Sequence, residues 1–134
     1  MDTIHTYKSD NEFFFSNLKS NPEIRELRGG VLYEVLQSGS GSKVLSPRSK
    51  VKCHYKGMLI DGKVFDDSFK RNEPAVFRVN SLISGFQIAL VNMCIGDYWR
   101  VYIPAMKGYG SSQVGIIPPD STLVFEILLL DFFG

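Results

Sequence analysis

Gly110 and Gly115, in GSSQVGII, have the glycine spacing of a phosphate-binding loop. The Lys and Ser/Thr that such a loop requires are missing, because Ile116 and Ile117 occupy their places. Nothing there supplies charge to a phosphate, and the glycines read as turn residues. GSGSKV (39–44) lacks the third glycine of a dinucleotide loop. Cys53 and His54 are neighbours on an alternating segment, so their side chains face opposite ways and cannot pair as thiolate and imidazolium. The other histidine is His5, and two His with two Cys at these spacings make no zinc site. Asp61, Asp66 and Asp67 do not follow the calcium-loop pattern, and no nucleophile elbow marks a Ser-His-Asp triad. The basic row Lys50, Lys52, His54 and Lys56 reads as the solvated face of a strand rather than an anion patch. The expectation is chemistry without nucleophile, metal or cofactor. Aromatics and prolines near predicted strand ends suit an apolar pocket with a few polar groups.

The elements that would hold such a pocket follow from the periods of the chain. SDNEFFFSNLKSN places Ser9 and Glu12 in capping-box spacing ahead of Phe13, Phe14 and Leu18, predicting a short helix. Asn21 and Pro22 predict a second helical turn carrying Ile24 and Leu27, closed by Gly29-Gly30. From Val31 the period becomes two. VLYEVLQ, SKVKCHYKGML, AVFRVN, DYWRVYIP and TLVFEILLLDFF read as strands, and Asp61-Gly62 as a hairpin turn. Val51, Cys53 and Tyr55 share one face of the second strand. The last strand is apolar on both faces, interrupted by Glu126, which predicts a central position. SGFQIALVNMCIG has a helical period, with Ser84 as its cap, Phe86, Ala89, Leu90 and Met93 on one face, and Gly96 as its stop. The expected fold is α+β: an antiparallel sheet with one short helix packed across it, preceded by a helical segment. The boundaries are 1–29 for the N-terminal extension and 30–134 for the domain.

With 134 residues, the chain has room for one core. Hydrophobic content is 44%, charged content 22% and formal net charge +1, which excludes disorder and argues against phosphate-driven nucleic-acid binding. No apolar run reaches the roughly 18 residues of a membrane helix, so no membrane association is expected. The N-terminus shows no signal-peptide pattern, and a cytoplasmic location is expected, in keeping with only two cysteines.

Three blocks, VKCHYKGMLIDGKVFDDS, LISGFQIALVNMCIGD and IPAMKGYGSSQVGIIPPDSTLVFEILLL, resemble the signature blocks of the FKBP-type peptidyl-prolyl cis-trans isomerases. The resemblance runs from about Gly30 to the C-terminus, in the family's order. The helical segment before it is similar, less closely, to the extension of many bacterial members. The resemblance implies a half-barrel of five or six antiparallel strands wrapped on the short helix, with a pocket between them. It places Tyr55, Phe65, Asp66, Arg71, Leu82, Ile83, Phe86, Tyr109, Ile116, Ile117 and Phe125 in that pocket. Asp66, Tyr109, Phe86, Tyr55 and Phe65 are the implied catalytic residues, and the other six hold substrate. Tyr109 would donate to a bound carbonyl, and Ile116 and Ile117 would form an apolar rim stiffened by Pro118 and Pro119. The implied partners are proline-containing polypeptides and macrolide inhibitors.

Three positions depart from the family's commonest pattern. Phe86 stands where Trp is frequent, Ala75 replaces an aromatic and so predicts a wider pocket wall, and the loop 111–114 is short. A peptide-binding chaperone with little turnover is the alternative function. The Phe13-Phe14-Phe15 cluster motivates it, and also suggests a dimer through the N-terminal segment. The same residues read more simply as a cap on the domain's own core.

Overall fold

The change of period at Val31 marks the entry into one mixed-length antiparallel sheet. A computed structural model describes residues 6–44 and 46–134, so His5 lies outside the described residues. Helix α1 spans Tyr7–Leu18, and strand β1 Arg25–Glu26. Strands β2 (Leu32–Gln37), β3 (Lys50–Met58) and β4 (Val64–Asp67) follow. Helix α2 is the single turn Ser68–Arg71, and β5 is Ala75–Arg78. Helix α3 is Ser84–Leu90, and β6 (Tyr98–Ile103) and β7 (Leu123–Phe133) complete the fold.

The strand order is β1-β2-β6-β7-β3-β4, with β5 also on β3. The sheet therefore has seven strands instead of five or six. Two short pieces account for the difference. The outer edge of β3 is shared, β4 pairing with Lys56–Met58 and β5 with Lys50–Cys53. The two residues of β1 add to the edge of β2.

Alternation decides what is buried. Val51, Cys53 and Tyr55 of β3 point inward, as do Trp99, Val101 and Ile103 of β6 and Leu123, Phe125, Ile127 and Leu129 of β7. Helix α3 covers this inner face with Phe86, Ile88, Ala89 and Leu90. It comes close because Gly85 has no side chain: a Cβ there would meet Ile103 Cγ2 at 2.4 Å. Strand β7 is central, as its two apolar faces predict. Its Glu126 is answered from β6, where Arg100 donates to Glu126 at 2.8 Å and to Glu34 of β2 at 3.0 Å. The interruption in the apolar pattern is thus one half of a cross-strand ion pair.

The other face of the sheet takes α1. Phe14, Phe15 and Leu18 pack on Leu32, Tyr102 and Val124, so two of the three phenylalanines cap the domain's own sheet. Phe13 remains 68% exposed. Two local expectations fail here. The cap is Thr6, not Ser9: the Ser9 N–H donates to Thr6 Oγ1 at 3.0 Å, and the Thr6 N–H donates to Ser9 Oγ at 3.1 Å. Starting at Thr6 gives the helix the extra residues that dock it, with Tyr7 Oη 2.7 Å from Ser121 Oγ. Residues 21–27 do not form a second helix. The Glu23 N–H donates to Asn21 Oδ1 in a turn, Arg25 and Glu26 then pair with Tyr33 and Leu32 of β2, and the Leu27 N–H reaches Val31 O just before that strand at 2.7 Å. Pairing satisfies backbone groups that a one-turn helix would leave open.

Asn11 carries the docking of α1. It is 2% exposed, donates from Nδ2 to Tyr7 O at 2.7 Å and accepts from the Thr122 N–H at 2.8 Å. Asn11→Ala leaves that buried N–H without an acceptor, so it should lower stability by about 2 kcal/mol and Tm by roughly 6 °C. Thermal denaturation followed by circular dichroism measures this, and a shift within a degree would show that the contact contributes nothing.

Candidate active site

Strand β3 supplies the first wall. Tyr55 points inward from it, and Gly57 is the next inward position. Because Gly57 carries no side chain, the rings of Phe65 from β4 and Phe125 from β7 lie over the strand. A Cβ there would sit 2.6 Å from Phe65 Cε1 and 2.8 Å from Phe125 Cε1. Phe86 rises from the first turn of α3 to meet them. Its ring centroid is 5.0 Å from Phe125 at 72°, and 6.0 Å from Tyr55 at 81°. Phe65 and Phe125 are 5.6 Å apart at 86°. These are edge-to-face contacts, the arrangement aromatic quadrupoles favour.

The rings enclose a cavity of about 570 Å³, open on one side. Of the eleven residues assigned to the pocket, ten line it: Tyr55, Phe65, Asp66, Leu82, Ile83, Phe86, Tyr109, Ile116, Ile117 and Phe125. Arg71 stands behind Asp66, at the end of α2, with its Nη1 donating to Asp66 Oδ1 at 2.6 Å. The isoleucine pair divides. Ile116 is 53% exposed at the mouth, whereas Ile117 is 4% exposed and belongs to the core, so the rim is Ile116 without its neighbour. The division follows from the tight return at 114–117, where Val114 and Ile117 exchange backbone hydrogen bonds of 3.0 and 2.9 Å. Gly110 (φ 61°) and Gly115 (φ 57°) take left-handed conformations there, which confirms them as turn residues.

Phe77, Val64, Ser81, Val114 and Gly115 also line the cavity and were not assigned to it. Phe77 was legible, since alternation along AVFRV puts it on the face of Ala75. Ala75 itself packs against the core, opposite Cys53, and does not line the pocket. The wall expected to widen there is closed by Phe77, 5.7 Å from Tyr55. Helix α3 is capped without a side chain: Ile83 is its N-cap and Ser84 its first helical residue, while Gln87 Nε2 donates back to Leu82 O at 2.6 Å. The Ile83 N–H makes no hydrogen bond among the described residues, which leaves it available to a ligand.

One charge stands in this apolar setting. Tyr55 donates its hydroxyl to Asp66 Oδ2, and Arg71 holds Oδ1. Burial acts to raise the Asp66 carboxyl, but the bonds from Tyr55 and Arg71 outweigh it and hold it below the usual carboxylate range. Burial, together with the bond to Asp66, pushes the Tyr55 phenol up to about 12. Asp66 is therefore ionised and Tyr55 neutral at physiological pH. The buried Cys53 thiol is likewise pushed up to about 12 by burial, which makes it a poor nucleophile. The site has an aromatic cage, one oriented carboxylate and free backbone and hydroxyl donors at its mouth. That equipment suits the binding and orientation of a conformer.

The fold is an α+β domain whose aromatic cage lies between a short helix and an antiparallel sheet. The comparisons with known proteins place it. A model of the FKBP-type peptidyl-prolyl cis-trans isomerases matches residues 41–130, and the chain belongs to that family. The peptidyl-prolyl cis-trans isomerase Mip of Coxiella burnetii is 39% identical over 120 residues, covering 87% of this chain and 51% of that protein. The FKBP-type 22 kDa isomerase of Escherichia coli is 42% identical over 109 residues, covering 81% and 52%. The chain thus spans about half the length of these curated relatives. A crystal structure of a peptidyl-prolyl cis-trans isomerase from Pseudomonas syringae superposes with a TM-score of 0.88 at 36% identity, covering 99% of this chain and 100% of that one. No described helix is long and apolar enough to cross a membrane.

Proposed function

We propose that this protein is a peptidyl-prolyl cis-trans isomerase that accelerates rotation about X-Pro bonds of proline-containing polypeptides. The cage of Tyr55, Phe65, Phe77, Phe86 and Phe125 around a cavity of about 570 Å³ is the observation that carries this reading. Uncatalysed rotation takes tens to hundreds of seconds against a barrier of roughly 18–20 kcal/mol, set by amide resonance. At the twisted transition state that resonance is lost and the carbonyl dipole shrinks. A cage with few donors therefore costs the twisted amide less solvation than the planar one, and the preference is differential binding of a conformer. Each 1.36 kcal/mol of it gives about tenfold in rate.

The prolyl ring sits on Phe86, between Tyr55, Phe65 and Phe125. Ile83 offers its N–H and Tyr109 its hydroxyl to flanking carbonyls, Leu82 and Ile117 complete the wall, and Ile116 meets the residue before proline. Asp66, oriented by Arg71, faces the rotating carbonyl. A macrolide would compete for the same cage. Exchange spectroscopy by NMR on a short X-Pro peptide tests the reading. Acceleration that a macrolide such as rapamycin abolishes is expected; suppression of aggregation without acceleration would make the protein a peptide-binding chaperone. Exposed Phe13 is the contact through which α1 would pair with a second copy, and light scattering at the monomer mass would remove that arrangement.

A further inference from the structure

On the outer edge of β3, β5 pairs as far as Cys53 and β4 begins at Lys56. His54 and Tyr55 lie in the gap between them. A strand N–H turned into such a gap has no ladder partner, and inside a protein it must find another acceptor. The Tyr55 N–H finds Ser68 Oγ, at 2.7 Å. Ser68 is fully buried, and His54 Nδ1 lies 2.8 Å from the same oxygen. The His54 ring is held in turn by stacking on Phe69 at 4.7 Å. Ser68 is the first residue of α2, two residues after Asp66 and three before Arg71.

We infer that Ser68 is a positioning residue for catalysis, fixing the short segment that carries Asp66 and Arg71 against the strand that carries Tyr55. The inference rests on the isomerase reading. The three groups of the charged wall come from two pieces of chain: Tyr55 from β3, and Asp66 and Arg71 from the end of β4 and from α2. Regular pairing ends at Lys56↔Asp67 and resumes on β3 only at Cys53↔Ala75, so no ladder hydrogen bond holds residues 68–74 to β3. The Ser68 hydroxyl is the bond that continues the attachment past that point. Its oxygen accepts from the Tyr55 N–H and lies within hydrogen-bond distance of His54 Nδ1, so one hydroxyl ties the segment to two consecutive residues of β3. Ser68 touches no part of the cavity and acts only through its neighbours.

Ser68→Ala removes the acceptor. The expected result is a kcat at least about fivefold lower with KM within about twofold, because the Tyr55–Asp66 geometry matters most at the twisted state. The Tyr55 amide proton should also move upfield in the NMR spectrum as it loses its acceptor. Val44→Ala, a buried truncation whose side chain does not line the cavity, controls for stability. An equal kcat loss in Val44→Ala, or a wild-type kcat in Ser68→Ala, would overturn the inference. Where Ser68→Ala does not fold, Ser68→Cys is read by the same criteria, its sulfur being a weak acceptor of similar shape. The Tyr55 amide shift reads the contact without turnover. An unmoved resonance therefore refutes the positioning role itself, whereas a moved one in a protein without isomerase activity refutes only the functional reading.

Discussion

Gly57→Ala should reduce kcat/KM for a prolyl peptide by at least about tenfold while leaving a folded domain. The added methyl would stand 2.6 Å from two atoms of the Phe65 ring and 2.8 Å from Phe125. Real carbon contacts do not come that close, so both rings must shift away from β3. The open space on their far side is the cavity. Displacement therefore fills the place of the prolyl ring. The penalty is that of overpacking, about 1–3 kcal/mol, because the rings can yield into solvent-accessible space. Assays run well below Tm separate the two effects. Phe65→Leu, which removes one of the clashing ring edges, should restore part of the loss when combined with Gly57→Ala. Wild-type turnover in Gly57→Ala would mean that the rings have another position compatible with substrate, and the cage would not be the seat of the preference.

What could be read from the sequence, and what could not, divides along physical lines. Burial along β3 and β7 was legible because a strand alternates strictly, and Val51, Cys53, Tyr55, Phe125 and Ile127 have no choice of face once one of them is placed. The pocket aromatics were legible through family blocks long enough to fix their order. The helix caps were not, because Thr6 and Ser9 are both good caps and only tertiary docking through Tyr7 and Asn11 decides between them. Gly57 looked like any strand glycine, since its use depends on two rings, Phe65 across the hairpin and Phe125 from the distant β7, that only the folded sheet brings over it. Ser68 was hidden for a similar reason. A serine after two aspartates reads as a turn residue, and the gap in pairing that gives it a partner exists only in the sheet. Ile116 and Ile117 were read as one rim because adjacent isoleucines carry no sign of which one turns inward.

Phe86 shows how one departure from the family pattern is absorbed. The ring keeps edge-to-face contacts with Tyr55, Phe77 and Phe125, so the floor survives without the indole of the commoner Trp. What is lost is a donor. The polar character of the site then rests more heavily on Asp66 and its two partners.

Asp66→Asn should lower kcat by about ten- to a hundredfold with KM falling alongside it, and Tyr55→Phe should lower kcat by less, with the double variant no worse than Asp66→Asn alone within about twofold. The planar amide concentrates resonance-derived negative charge on its carbonyl oxygen, and a carboxylate beside it is unfavourable. As the bond twists that charge recedes and the disadvantage falls, so an ionised Asp66 favours the transition state over the ground state. Tyr55 contributes by aiming the carboxylate, which is why its loss adds nothing once the charge has gone. The pH dependence follows from the shifts and their signs. The folded-state pKa of Asp66 lies below its unfolded value, so its stabilisation is present in full above the ordinary carboxylate range and is lost as pH falls through the lowered folded value. The pKa of Tyr55 is raised to about 12, so its contribution is present below the ordinary phenol value of 10 and is lost as pH climbs through the folded one. Turnover should be level between about pH 7 and 9, where neither group changes state. The stability difference between wild type and Asp66→Asn should shrink as pH drops from about 5 toward 2. Chemical denaturation of both proteins across that range measures it. A difference that stays constant would show that the Asp66 charge is not held by Tyr55 and Arg71, and the oriented carboxylate would have to be replaced in the mechanism by the apolar cage acting alone.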